Sequence, residues 1–107
     1  LIEDVRLGSS GHEMLARLAD ACDRVAGRLL TASSEDRQAA AYPFLTMLAT
    51  ASAGWLMAAQ LRALGGEQAD PAFTAMKRAA AHFYLDQLVP EALGLEAAAS
   101  APADLLY

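Results

Sequence analysis

Residues 39–61, AAAYPFLTMLATASAGWLMAAQL, carry no charged side chain; Glu35, Asp36 and Arg37 precede them and Arg62 follows. Read as a helix, the run sets Phe44, Met47, Ala51, Gly54, Ala58 and Leu61 on one stripe. Leu45, Leu48, Ser52, Trp55 or Leu56, and Ala59 fall on the neighbouring stripe. A helix apolar on most of its circumference is expected to be buried on most of it. The run also passes the length of roughly 20 residues that a membrane span needs. The central rod of a helical bundle is the better reading, and no membrane span is expected. Much of the run is Ala, Thr, Ser and Gly, Pro43 sits near one end, and neither flank holds a Lys/Arg cluster that would orient a span.

A rod needs neighbours, and the chain has room for few. Its 107 residues make one domain, large enough for a core without metal or disulfide staples. With 55% hydrophobic residues against only 4 Pro and 7 Gly, disordered and collagen-like chains are excluded. No stretch alternates apolar and polar residues with the Val, Ile and Thr richness of a strand, so the fold class is all-α.

Around the rod, Leu15, Leu18, Cys22, Val25 and Leu29 recur at three- and four-residue steps and predict an amphipathic helix starting near Gly11. Ser10 and Glu13 have capping-box spacing at its start. Ser33 or Ser34 caps the rod itself, whose first turn carries Glu35 and Asp36. Pro43 predicts a kink or restart near residues 39–42, and Gly65-Gly66 a stop after Leu64. Asp70-Pro71 is a start signal for a third helix with the stripe Phe73, Met76, Ala80, Phe83, Tyr84, Gln87 and Leu88, whose aromatic residues are expected to fill the core or a dimer interface. Pro90 is expected to end it and to open a short fourth helix to about Ala99. Residues 1–8 read as a linker or terminal helical segment, and 9–107 as one antiparallel up-down bundle of three main helices with short terminal helical segments. The small residues Ala51, Gly54 and Ala58 predict a close approach of another helix.

Groups that carry chemistry are sparse. The net charge is −5, from 8 Lys+Arg against 13 Asp+Glu with the basic residues dispersed, so nucleic acid is not an expected partner. The single cysteine, Cys22, permits no intrachain disulfide, lies on an apolar stripe, and fits a reducing compartment such as the cytoplasm. His12 and His82 share no metal-ligand spacing, so no metal site is expected. His82 and Asp86 are an i, i+4 pair beside Lys77 and Arg78, read as a solvated helix face. An independent enzyme would require His82, Asp86 and Cys22 to converge. A small-molecule-binding or lipid-binding bundle would need Phe44, Trp55, Met57, Phe83 and Tyr84 around an apolar pocket. The chain opens on Leu1 without a signal-peptide pattern and reads as a piece of a longer protein.

Two segments are more specific. Tyr42-x-x-Leu45 followed by Gly54-Trp55-Leu56, and Lys77 followed by Ala81-His82-Phe83-Tyr84 and Leu88-Val89-Pro90, resemble the two motif helices of the C-terminal helical domain of the acyl-CoA dehydrogenase family. Ala49 stands where that family usually has glycine and His82 where it has arginine. The resemblance implies an extra domain following the catalytic part of an FAD flavoprotein of fatty acid metabolism, an oxidoreductase that converts acyl-CoA to enoyl-CoA. It implies that FAD and the carboxylate base belong to the preceding dehydrogenase domains, and that the assembly is a homo-oligomer. In this reading the segment serves packing, subunit contact or shaping of the acyl channel. No residue here, Glu91 and Glu96 included, matches the family's catalytic motif, so no catalytic, cofactor-binding or metal residue is expected.

Overall fold

The computed structural model describes residues 1–8, 11–64 and 70–102, the side chains of 6–8 excepted. The described chain is all-α: α1 (Ile2–Gly8), α2 (Glu13–Thr31), α3 (Ser34–Leu64), α4 (Pro71–Phe83), a π-helical turn (Tyr84–Leu88), α5 (Val89–Leu93) and α6 (Glu96–Ala99). At 1.5 Å per residue α3 is about 46 Å long. It sets the elongated shape, 54 × 24 × 17 Å, and touches every other helix.

Local chemistry accounts for most of the boundaries. The Ser33 hydroxyl accepts the Asp36 amide at 3.1 Å and starts α3. Arg37 reaches back with Nε to the Leu29 carbonyl at 2.8 Å and with Nη2 to that of Leu30 at 3.3 Å, supplying cationic donors to the orphan carbonyls at the end of α2. Asp70 accepts the Ala72 amide at 3.3 Å and Pro71 takes the first helical position of α4, as the sequence indicates. His12 is the N-cap of α2 and makes no side-chain capping bond. The expected caps at Ser10 and Gly65-Gly66 lie outside the described residues.

The core forms where the α2 stripe meets the inner stripe of α3. Leu15, Leu18, Cys22 and Val25 are buried against Met47, Ala51 and Ala58, with Val5 of α1, Leu85 of the π turn, and Val89 and Ala92 of α5 closing around them. Residues 2–8 are thus a helix packed on α2 and α3.

Several sequence expectations need correction. α3 runs unbroken through Pro43, so the helix does not restart there. An internal proline costs about 3 kcal/mol, but Ala40 and Met47 on either side are buried in the same body, so burial holds the helix together across it. Pro90 does not end the third helix. The backbone widens beforehand into the π turn, where the Val89 amide bonds to the Tyr84 carbonyl five residues back. That extra residue relieves the crowding a proline ring imposes on the preceding turn, and the helix continues as α5.

The largest correction concerns direction. α3 is not buried on most of its circumference: 22% of its most apolar stretch is buried, and Tyr42, Leu45 and Leu56 are 80%, 63% and 57% exposed. By length and composition it is the one described helix that could cross a membrane. On α4 the expected inward stripe faces outward, with Phe73, Met76, Ala80, Phe83 and Gln87 exposed, while Ala81 is buried and Thr74 and Lys77 are half-buried. Helices of 7, 5 and 4 residues, with α2 and α4, cover one side of a 31-residue rod and leave the other side bare.

Candidate functional site

The groups with chemical potential do not converge. Cys22 is fully buried, and burial first, then the negative charge of Glu96, push its thiol up to about 11, so it is unreactive as a nucleophile. His82 is exposed on α4 and has no hydrogen bond to Asp86. Asp86 instead borders a cleft of about 140 Å³ shared with His12 and Glu13, which Cys22 does not line. Lys77 is half-buried with its ammonium 5.5 Å from the centre of the Phe73 ring, and Arg78 is exposed a third of a helical turn away. Among the described residues no three His, Cys, Asp or Glu side chains are grouped so as to hold a metal ion.

The strongest polar contact is architectural. Arg24 on α2 donates from Nε and Nη2 to both oxygens of Glu96 on α6, at 2.7 and 2.9 Å, and Arg28 donates to the Ser100 carbonyl at 2.5 Å. The hydrogen bonds from Arg24 hold the Glu96 carboxyl below its ordinary value, and the same bonds raise the guanidinium. Together they fasten the C-terminal helix to α2.

Surface character is the distinguishing feature. A cleft of about 270 Å³ opens between α3 and α6, with Tyr42 and Pro43 on one wall and Leu95 and Ala98 on the other. A second, of about 180 Å³, continues from Leu95 to Thr46, Thr50 and Tyr84. Neither is lined by Phe44, Trp55, Met57 or Phe83, so the aromatic residues expected around a ligand pocket are not brought together. Phe44, Trp55, Met57 and Tyr84 pack on the core instead, and Phe83 stands 61% exposed.

The family model "Acetyl-CoA dehydrogenase C-terminal like" matches residues 7–107. The chain belongs to this family. No curated protein and no solved structure matches it. In this acetyl-CoA dehydrogenase C-terminal-like domain the motif residues divide into two sets. Gly54 and Val89 meet where α3 and α5 cross, and Trp55 and Tyr84 pack on the core, while Tyr42, Leu45, Leu56 and Phe83 are apolar residues held in water. Sequence reasoning expected the second set to be buried, in the core or in a dimer interface. The signal that could have found it is the rod itself, a helix apolar all round in a chain too short to surround it.

Proposed function

We propose that the chain is a non-catalytic helical accessory domain of an FAD-dependent acyl-CoA dehydrogenase-like enzyme, whose parent oxidises acyl-CoA to enoyl-CoA. Its task is to dock on the preceding dehydrogenase domains through the outward apolar stripe of α4. The observation that carries this reading is the inverted amphipathicity of α4: Phe73, Met76 and Phe83 face solvent, a disposition stable in an assembly only if another surface covers them. Family membership over residues 7–107 supports the identity of the missing surface. The single buried thiol fits a cytoplasmic setting.

FAD is placed in the preceding dehydrogenase domains, as the outer apolar stripes described on α3 and α4 do not suit it. A dinucleotide needs amide donors at a helix N-terminus or cations for its pyrophosphate, and the bare faces of α3 and α4 offer methyl and aromatic groups. The flavin belongs to the dehydrogenase body, and no step of its chemistry runs through this domain.

The test has two arms. Titration of the 107-residue chain with FAD and with a medium-chain acyl-CoA should give no binding and no dye reduction; stoichiometric FAD binding would refute the reading. In a dehydrogenase chain carrying this domain, Met76→Glu with Phe83→Glu should loosen the domain to proteolysis while leaving its helicity unchanged, and unaltered resistance would count against docking through α4.

A further inference from the structure

The π turn shifts the phase of α4 against that of α5. Val89 and Ala92 mark the buried side of α5. Arg78 and His82 stand eleven and seven residues before Val89. At about 100° per residue, those spacings put both within about 20° of Val89 in an unbroken α-helix, on the buried side. Both are exposed. The positions that turn inward on α4 are instead Ala81, buried, with Lys77 and Thr74, half-buried, at eight, twelve and fifteen residues before Val89. With one residue left out of the count they stand at seven, eleven and fourteen, the spacings of a single helical face. The residue to leave out is the one by which the π turn exceeds an α turn, since the Val89 amide bonds to the Tyr84 carbonyl, five residues back instead of four.

We propose that this extra residue is a phase-setting device, matched to Pro90, that fixes which face α4 shows to solvent. If the turn closed to α geometry with the chain unchanged in length, α4 would rotate by about 100° relative to α5. That rotation would carry the Arg78 guanidinium and the His82 ring toward the core side held by Leu85, Val89 and Ala92, a costly place for a charged group. Lys77 tolerates its half-buried position, because a long flexible stem lets the ammonium reach out to 5.5 Å from the centre of the Phe73 ring. Pro90 opposes the α register from the other end. In an α-helix its ring would crowd the Asp86 carbonyl, four residues back, and the wider turn avoids that crowding. Core phase and proline select the same geometry. So fixed, α4 shows Arg78 and His82 on one flank and Phe73 with Met76 on the other, and the apolar stripe lies clear of the exposed cations of its own helix. The device belongs to the single chain and does not depend on a partner for α4.

Removing and adding a residue distinguish such a turn from an ordinary helix. In an ordinary helix a one-residue deletion and a one-residue insertion shift the phase equally, by about 100° in opposite senses, and both disrupt packing. Here, deletion of Gln87, an exposed residue of the π turn, should convert the turn to α-helix with α4 unrotated, whereas an alanine inserted after Gln87 finds no register that fits. Both changes are made in the 107-residue chain carrying Pro90→Ala, which removes the ring that a closed turn would meet.

The deletion should keep the urea midpoint of Pro90→Ala alone, and the insertion should lower it. With Pro90 retained, the same deletion should lower the midpoint. The native thiol is buried, so introduced cysteines report orientation selectively. Arg78→Cys should react freely with a maleimide and Ala81→Cys slowly, in the full-length turn and in the Pro90→Ala deletion variant alike. Equal losses from deletion and insertion, a deletion cost that is the same with and without Pro90, or protection of position 78 in the deletion variant would overturn the proposal.

Discussion

Gly54 on α3 lies directly under Leu15 on α2: a Cβ placed on the glycine would stand 2.8 Å from the Leu15 Cδ1 and 3.2 Å from the Val89 Cγ2. Three elements meet at this point, and a side chain here would force the end of Leu15 to shift. Replacing an interior helical glycine by alanine gains about 1 kcal/mol in helix propensity, whereas overpacking a tight core costs about 1–3 kcal/mol. Leu15 is buried and Val89 is stiff, so neither yields freely. Gly54→Ala should therefore lower stability by about 1 kcal/mol on balance, and Gly54→Val by more, in urea unfolding. Combined with Leu15→Ala, Gly54→Ala should cost less than the sum of the single changes, because the alanine at 15 vacates the space the new Cβ needs.

The Arg24–Glu96 pair gives α6 a pH dependence of known sign. Glu96 titrates lower in the folded chain than in the unfolded one, chiefly through the hydrogen bonds from Arg24. Its contribution is present above the ordinary glutamate range near about pH 4.3 and is lost as pH falls below it. The melting temperature of Glu96→Gln should lie below wild type at neutral pH and converge with it in acid. A constant difference across that range would show that the carboxylate charge is not what fastens α6.

Cys22 should be silent in the folded state. With its thiol fully buried and pushed up to about 11, modification by a disulfide reagent should require global unfolding and follow the unfolding rate. Because the folded value lies above the unfolded one, this group also stabilises the fold up to the ordinary thiol range and ceases to do so as pH climbs toward 11. Cys22→Ala should flatten that alkaline decline. Rapid labelling under native conditions would contradict the burial.

The two sides of α3 should respond oppositely to substitution. Met47→Ala removes a fully buried side chain and should cost about 2–5 kcal/mol. Leu45→Gln, two residues away and 63% exposed, should change the stability of a single chain by no more than about 0.5 kcal/mol. Chemical denaturation of the two variants at low concentration separates the cases.

The sequence was most legible where local chemistry decides. The α2 stripe, the Asp70-Pro71 start and the small residue at the α2–α3 crossing follow from spacing and backbone stereochemistry alone, and the structure has each of them. Periodicity proved weaker on direction. The stripe of Phe73, Met76 and Phe83 is a true helical stripe, but spacing says only that one face is apolar, not that this chain supplies what covers it. A restart at Pro43 and a stop at Pro90 were misread for another reason, since a proline states a local cost and tertiary burial or an added residue in a π turn can absorb it. The outward aromatic residues of α4 are the observation from which we propose a domain whose business is contact.

That conclusion is tested most directly by hydroxyl-radical footprinting of Phe73, Met76 and Phe83, in the 107-residue chain alone and in the same domain joined to an acyl-CoA dehydrogenase body. All three residues should label freely in the isolated chain and become several-fold protected in the joined protein, while exposed Arg78 and His82 on the other side of α4 keep their labelling. Equal labelling of the three apolar residues in both forms would contradict a docking role for α4.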